Sequence, residues 1–438
     1  MKQSVKAVGL IGLFAVLAIA AAGCGGGGGN EGSSNGGGGG GNVEALPSSS
    51  CSSIYYEGDG DADFIVASDL PLQGAGRAQT TEMVQAIKFA LKQRDFKAGD
   101  YKVAYQSCDD STAQAGAWDS AKCASNGRAY AANKAVIGVV GTFNSGCAKI
   151  IVPILNRAVP GPVAMVSPAN TSPGLTTDGP GAEAGEPDKY YPTGKRNYAR
   201  VVANDQIQGP ADAQFVKDQG LKSVYILNDK QTYGFGVATT FRGAAQKLGL
   251  NVAGFKGWDA KQSSYEALAN AIKATGADAV FLGGIICNNG AKLIKDLKQG
   301  VPDATLIAPD GFSDPKSNGT AFDGSYASVA GQPPSGLKGE GKTFVDDFGK
   351  QIGATPNPYS QYGAQAMDVM LDAIAKSDGT RPSVTSSLFG LQVKDGIIGT
   401  FTLNDKGDTS LGPITIYQQK AGKLNPLKTI VPEKNLTT

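Results

Sequence analysis

Two polar loops and two isolated side chains hold most of the chemistry this sequence offers. Residues 166–176 read VSPANTSPGLT, and residues 141–146 read GTFNSG. Each adjoins a β-branched apolar run, at 163–166 and 135–140, of the kind that forms a buried parallel strand. Ligands of open α/β sheets bind beyond the carboxyl ends of the strands. Ser145, Ala169, Asn170 and Thr171 would there offer hydroxyls and backbone N–H groups to a small polar molecule, although turns favour the same residue types for conformational reasons. Tyr233, in NDKQTYGFG, and Asp310, in APDGF, stand after two further apolar runs. An aromatic wall with a lone acid suits a cation such as an α-ammonium group; a packed loop tyrosine and a turn aspartate before glycine are the plainer readings.

Catalytic machinery is harder to find. The chain has no histidine, which removes Ser-His-Asp and Cys-His systems and histidine metal sites together. Gly74-Ala75-Gly76 follows the first apolar run, but Gln79 occupies the third glycine's place in a dinucleotide fingerprint. Neither Gly194-Lys195 nor Gly341-Lys342 ends a phosphate loop, and no nucleophile elbow occurs. The acid pairs Asp109-Asp110 and Asp346-Asp347 are sequence neighbours, whose side chains usually point apart. The cysteine spacings match no zinc motif. The expectation is a protein that is not an enzyme and has no metal or cofactor. A net charge of +1 gives no concentrated basic face for nucleic acid.

The elements that must position these loops alternate. Strand patterns at 64–67, 102–106, 135–140 and 163–166 are separated by helical patterns at 78–94, 119–132 and 147–157. After a Pro/Gly/Glu-rich stretch at 177–193 the series restarts. Strands are expected at 223–228, 251–255, 279–282 and 304–308, with helices at 210–219, 236–248, 265–274 and 291–298. Helices near 342–352 and 362–376 follow, then two strands within 399–419 around an Asn-Asp-Lys-Gly turn. Alternation of this kind means βαβ units in doubly wound sheets, and two series suggest two α/β lobes. With 438 residues, 41% of them apolar, each lobe can have a core of its own.

Ahead of the lobes, Lys2 and Lys6 precede an uncharged apolar run at 7–22, and Ala21-Ala22-Gly23-Cys24 resembles a bacterial lipobox. Residues 1–23 read as a lipoprotein signal peptide with Cys24 as the lipidated residue. An ordinary signal peptide or a spanning anchor is the alternative, but the run is short for a span. Residues 24–62 read as a glycine-rich flexible tether with a reach of about 35 Å, and the folded part is expected from about Asp63. Cys51, Cys108, Cys123, Cys147 and Cys287 remain, an odd number, so at least one thiol is left over.

Residues 63–420 resemble the leucine/isoleucine/valine-binding protein family, the type I periplasmic solute-binding proteins of branched-chain amino-acid ABC importers. The segments that carry the resemblance are DLPLQGAG at 69–76, VVGTFNSG at 139–146, VSPANTSPGLT at 166–176, RVVANDQIQGP at 200–210, NDKQTYGFG at 228–236, FLGG at 281–284, APDGF at 308–312 and FTLNDKGD at 401–408. The resemblance implies two Rossmann-like lobes joined by a three-stranded hinge, 63–200 with 329–412 and 201–328 with 413–438, closing over a ligand. It places Ser145, Ala169 and Thr171, with Asn170 between them, at the ligand carboxylate, Tyr233 in the cleft of the second lobe, and Asp310 at the α-ammonium. Ile285 stands where the family has a second cleft tyrosine, and Ala75 where a first-loop aromatic is common. Asp310 is shorter than the usual Glu, and Arg77 adds a charge beside the first loop. The side-chain pocket should therefore differ, leaving aliphatic, aromatic, polar and amide-type ligands open. The family's bridge starts near Cys108, and Cys147, or else Cys123, is the expected partner. The implied setting is extracytoplasmic and lipid-anchored, in the periplasm or at the cell surface. The protein would be a monomer serving a transporter permease. A ligand-sensing receptor module of the same fold is the alternative.

Overall fold

The computed structural model describes residues 43–437. The expected signal peptide 1–23, the lipidation site Cys24 and the tether as far as residue 42 lie outside the described residues. Two parallel-sheet lobes make up the described chain. In the first, the strand order is Lys97–Ala98, Tyr101–Asp109, Phe64–Leu70, Val136–Gly141, Ala164–Ser167, Tyr198–Arg200. All but the short first strand run parallel. In the second, Asn251–Gly257, Ser223–Asn228, Ala279–Gly283, Thr305–Ala308 and Tyr326–Ala330 run parallel. Ile414–Lys420 and Lys423–Ile430 then add antiparallel. Apolar, β-branched strands such as VIGVVG at Val136–Gly141 are buried along their whole length, as a sheet covered on both faces requires.

In both sheets the first strand of the series lies between the second and the third, so the winding reverses beside it. That reversal opens a crevice at the carboxyl ends of neighbouring strands. The crevice lies between Phe64–Leu70 and Val136–Gly141 in one lobe, and between Ser223–Asn228 and Ala279–Gly283 in the other. The chain crosses between sheets at 201–204, after Ala330, and again before Ile414. Helix Arg77–Gln93 buries Met83, Val84, Ile87, Ala90 and Leu91 on one stripe, and packs with Ser360–Ala375 on the first lobe. Among the described residues no helix is long and apolar enough to cross a membrane.

Several expectations are corrected. Residues 43–62 are part of the fold, not of a tether. Leu46, Cys51 and Tyr56 are buried, and Tyr55 exchanges backbone hydrogen bonds with Tyr105 at 2.8 and 3.0 Å. This strap runs antiparallel along the otherwise open edge of Tyr101–Asp109, and so covers backbone groups that an edge strand leaves unpaired. Its sparse apolar residues carry no strand or helix period, which is why composition read it as linker. The expected Cys108–Cys147 bridge is replaced by two others, Cys51–Cys108 and Cys123–Cys147. The strap brings Cys51 to the strand end at Cys108, while helices Ser120–Ala132 and Ser145–Asn156 pack side by side and bring Cys123 to Cys147. Cys287 is the thiol left over. Val329 and Ala330, expected in the first lobe, belong to a strand of the second sheet. The strands at 399–419 do not pair with each other as one hairpin: Gly399–Thr402 pairs with Gln392–Gly396, and Ile414–Lys420 joins the second sheet.

Candidate ligand-binding site

Both loops singled out in the sequence sit at first-lobe strand ends, stapled together. After Ala164–Ser167 the chain turns on Ser167, whose Oγ accepts from the N–H groups of Ala169 at 3.1 Å and Asn170 at 2.8 Å. Asn170 does not face a ligand with its amide. Its Nδ2 donates to the Phe143 carbonyl at 3.0 Å and its Oδ1 accepts from the Thr142 N–H at 3.3 Å, so it joins the two loops. Ser145 opens helix Ser145–Asn156, and its Oγ accepts from the Ser172 N–H at 3.2 Å. The hydroxyls of Thr171 and Ser172 are buried without an internal partner. Buried polar atoms normally find one, so these two hydroxyls, beside the first turn of a helix, are poised for a ligand's acceptor oxygens. Arg200, fully buried at the end of its strand, fixes the loop from behind. It pairs with Asp408 at 2.7 Å and donates to the carbonyls of Asn170 at 3.0 Å and Ser172 at 2.8 Å, and to Thr176 Oγ1.

The second lobe supplies the opposite charge. Tyr233, in the first turn of helix Thr232–Lys247, donates its hydroxyl to Asp310 Oδ1 at 2.5 Å, and accepts from the Gly311 N–H at 3.2 Å. Tyr359, from the first lobe, donates to Asp310 Oδ2 at 2.5 Å. With Gln79 to Ser313 at 3.1 Å and Ser317 to the Ala75 carbonyl at 2.8 Å, these bonds hold the lobes closed. Burial pushes the Asp310 carboxyl up from its ordinary range, against the two tyrosine donors. Asp205 starts helix Asp205–Asp218 behind the Asn204 cap. It is fully buried, and both of its oxygens lack a partner. Thr171 lies near enough to favour its charged form, yet neither group completes a hydrogen bond. Burial, then the charge of Asp310, holds the Asp205 carboxyl well above the usual range. The guanidinium that opposes this, Arg200, is committed to Asp408. Ile285 sits on a loop built around buried Asp229, which accepts from the Ile285 N–H at 3.1 Å and from Asn288 at 2.7 Å; burial pushes its carboxyl up to about 6.

The geometry is that of two lobes meeting across a cleft lined by buried acids and hydroxyls, and comparison with known proteins decides the lineage. The family model described as "Periplasmic binding protein" matches residues 66–423. The chain belongs to that family. Among curated relatives, the leucine-, isoleucine-, valine-, threonine- and alanine-binding protein of Pseudomonas aeruginosa is 24% identical over 58% of this chain and 65% of its own length, just under two thirds. A Leu/Ile/Val-binding protein, BraC3, of Rhizobium johnstonii is 24% identical over 87% of this chain and 98% of its own. Among solved structures, a leucine binding protein, LivK, of Thermotoga maritima superposes with a TM-score of 0.73 at 21% identity, covering 84% of this chain and 99% of that one. These are relatives named for binding, not for a reaction.

Within this periplasmic binding protein, the residues read from sequence fall into three groups. Tyr233 and Asp310 are bonded to each other, Ser145 is bonded to the Thr171–Ser172 loop, and Ile285 lines the space between the lobes. Ala169 is buried in the turn, and Asn170 is structural. Ala75 and Arg77 border a wider groove outside the cleft. Asp205 and Tyr359 were missed. Asp205 lay in plain view after a capping asparagine, but an acid in a first helical turn also serves the helix dipole. Tyr359 arrives from 49 residues beyond Asp310, and no local pattern marks it.

Proposed function

We propose that the protein captures an α-amino acid in the inter-lobe cleft and hands it to the permease of an ABC importer, held at the outer face of the cell membrane by a lipid on Cys24. The observation that carries the reading is a pair of buried acids, Asp310 and Asp205, close to the buried, unpartnered hydroxyls of Thr171 and Ser172, with the Asp205 N–H bonded to the Thr171 carbonyl at 2.9 Å. A buried carboxylate without a cation is costly, and an α-ammonium group arriving between the two acids removes that cost. The ligand carboxylate is then received by Ser145, Thr171 and Ser172 at the head of helix Ser145–Asn156, where anions are favoured. Bonds from one small molecule to both lobes bias the hinge toward closure. The names of the relatives, which bind leucine and similar amino acids, support the same ligand class.

A thermal-shift panel tests this. α-Amino acids are compared with the 2-hydroxy acids of the same side chains, and with sugars and nucleosides. A ligand at 100 times its dissociation constant adds about 2.7 kcal/mol of stability. The amino acid should shift the midpoint and its 2-hydroxy counterpart should not. Equal shifts, or shifts with sugars alone, would remove the ammonium site. For the anchor, an alkyne-tagged fatty acid fed to cells should label the wild type and not Cys24→Ser; equal labelling would refute lipidation there.

A further inference from the structure

Asp205, Gln208 and Asp212 follow one another along helix Asp205–Asp218 at spacings of three and four residues, which puts them on one face, and all three are fully buried. The charge of Asp310 reaches both of these aspartates, and Gln208 lies beside Asp310. Three carboxyls thus share one dry region. Among the described residues, the aspartates that pair with a lysine or arginine are others.

Their hydrogen-bond donors are unequally shared. Asp310 has two, the hydroxyls of Tyr233 and Tyr359 at 2.5 Å each. Asp212 accepts from Ser328 at 3.1 Å on one oxygen and has no partner on the other. Asp205 has none on either oxygen. Arg200, the guanidinium that acts on Asp205, is held by Asp408 at 2.7 Å. The positive end of its own helix favours a charged Asp205 but gives its carboxyl no donor. Tyr362, which also feels Asp310, spends its hydroxyl on the Ala330 carbonyl at 2.7 Å. Neighbouring buried carboxyls without a cation do not all ionise. The two tyrosines favour charge on Asp310, so the proton belongs on Asp205. Burial, then the charge of Asp310, holds Asp205 well above the usual carboxylate range, in the direction this geometry requires.

We propose that capture of an α-amino acid is an exchange of cations, in which the ligand's ammonium group displaces a proton held on Asp205. This rests on the amino-acid reading above and states how that site responds to pH. The O–H bond of the neutral carboxyl breaks, its electron pair stays on the carboxylate, the proton leaves to solvent, and the ammonium group arrives and remains intact. A cation between them lets Asp205 and Asp310 be anions together. The Asp205 carboxyl therefore titrates high before the ligand arrives and low once the ammonium group is beside it. Between those two values binding releases a proton, and affinity rises about tenfold for each unit of pH. Beyond either value it levels off. Capture is weakest in acid surroundings.

Counting protons tests the proposal. A mixture of the standard L-α-amino acids, set to about pH 6.5, is added to the purified, weakly buffered protein at the same pH. A pH-stat reads the protons released, and a thermal shift on the same sample reads binding. The wild type should release about one proton per molecule of protein occupied. Asp212→Asn, two helical turns or about 10 Å from Asp205, should release as many. Asp205→Asn, with circular dichroism to verify folding, should release almost none. Infrared spectra give a readout that does not depend on how tightly that variant binds: the protonated-carboxyl C=O band of the wild type should shrink on adding the mixture, and Asp205→Asn should lack the part that shrinks. Binding by the wild type without proton release, or an unchanged infrared band in Asp205→Asn, would overturn the exchange and leave the amino-acid reading standing. Release lost in Asp212→Asn and kept in Asp205→Asn would overturn the assignment to Asp205. Neither a shift nor protons from the wild type would overturn both readings.

Discussion

Asp310→Asn should separate the two roles of that side chain by opposite signs. The carboxyl is 7% exposed and pushed up by burial, with Tyr233 and Tyr359 as its donors. Each unit by which a folded-state acid is raised costs about 1.4 kcal/mol of stability at neutral pH. The amide has the same shape and no charge. One tyrosine still donates to its oxygen, and the other rotates its hydroxyl to accept from the amide N–H. The ligand-free midpoint should therefore stay level or rise. Binding should move the other way, because an ammonium group loses a buried carboxylate partner. Truncating such a pair costs about 2–5 kcal/mol, or roughly thirty- to several-thousand-fold in dissociation constant. Calorimetry of the ligand-free protein and titration with the identified amino acid give the two numbers. A dissociation constant within about threefold of wild type, or a ligand-free midpoint several degrees lower, would refute the reasoning.

Other parts of the molecule offer independent tests. Burial pushes Asp69 up to about 6 and its neighbour Asp110 well above the usual range, and both Asp110 oxygens lack partners. An acid raised in the folded state keeps its proton after the unfolded chain has released it, so stability present below about pH 4 is lost as pH rises through the folded values. Asp110→Asn should then gain about 1–3 kcal/mol at pH 8 and little at pH 4 by urea unfolding; an equal gain at both would contradict the titration argument. Opening the Cys51–Cys108 bridge, with a separation of 57 residues, should cost about 4 kcal/mol, against about 3 kcal/mol for Cys123–Cys147 with 24. Paired Ser substitutions and denaturant titration rank the two, and a larger loss at the shorter loop would show that the strap contributes little. The Cys287 thiol is half-buried, lines the cleft and lies against Gly76 and Ala75 of the opposite lobe. Saturating ligand should slow its alkylation about tenfold or more by depleting open forms; an unchanged rate would argue against closure.

The two doubly wound lobes were legible because apolar, β-branched runs alternate with helical stripes, and this pattern is local. The placement of the candidate residues was legible: Ser145 and Thr171 stand after their strands, Tyr233 and Asp310 after theirs. What stayed hidden depends on chain segments that meet only in the fold. Tyr359 completes the Asp310 cradle from the other lobe, and Trp118 lies against the first turn of helix Ser145–Asn156 only because residue 146 is glycine. Composition misread the strap, since Ser, Glu and Asp around Leu46, Cys51 and Tyr56 look like linker until a sheet edge is there to receive them. The disulfide pairing failed with it, because Cys108 had a partner on a segment taken to be unfolded.

The strap also decides how load enters the molecule. Under the proposed anchor at Cys24, tension would reach a segment laid along the edge of the first sheet and fastened covalently at Cys51. A pull can peel the strap only as far as that cysteine, after which tension passes through sulfur into the strand Tyr101–Asp109. The first lobe thus behaves as the stator of the hinge. The second, joined to it through the three crossings and the cleft contacts, would then be the moving jaw, and with the proposed lipid on Cys24 drag would be borne by the half that does not swing.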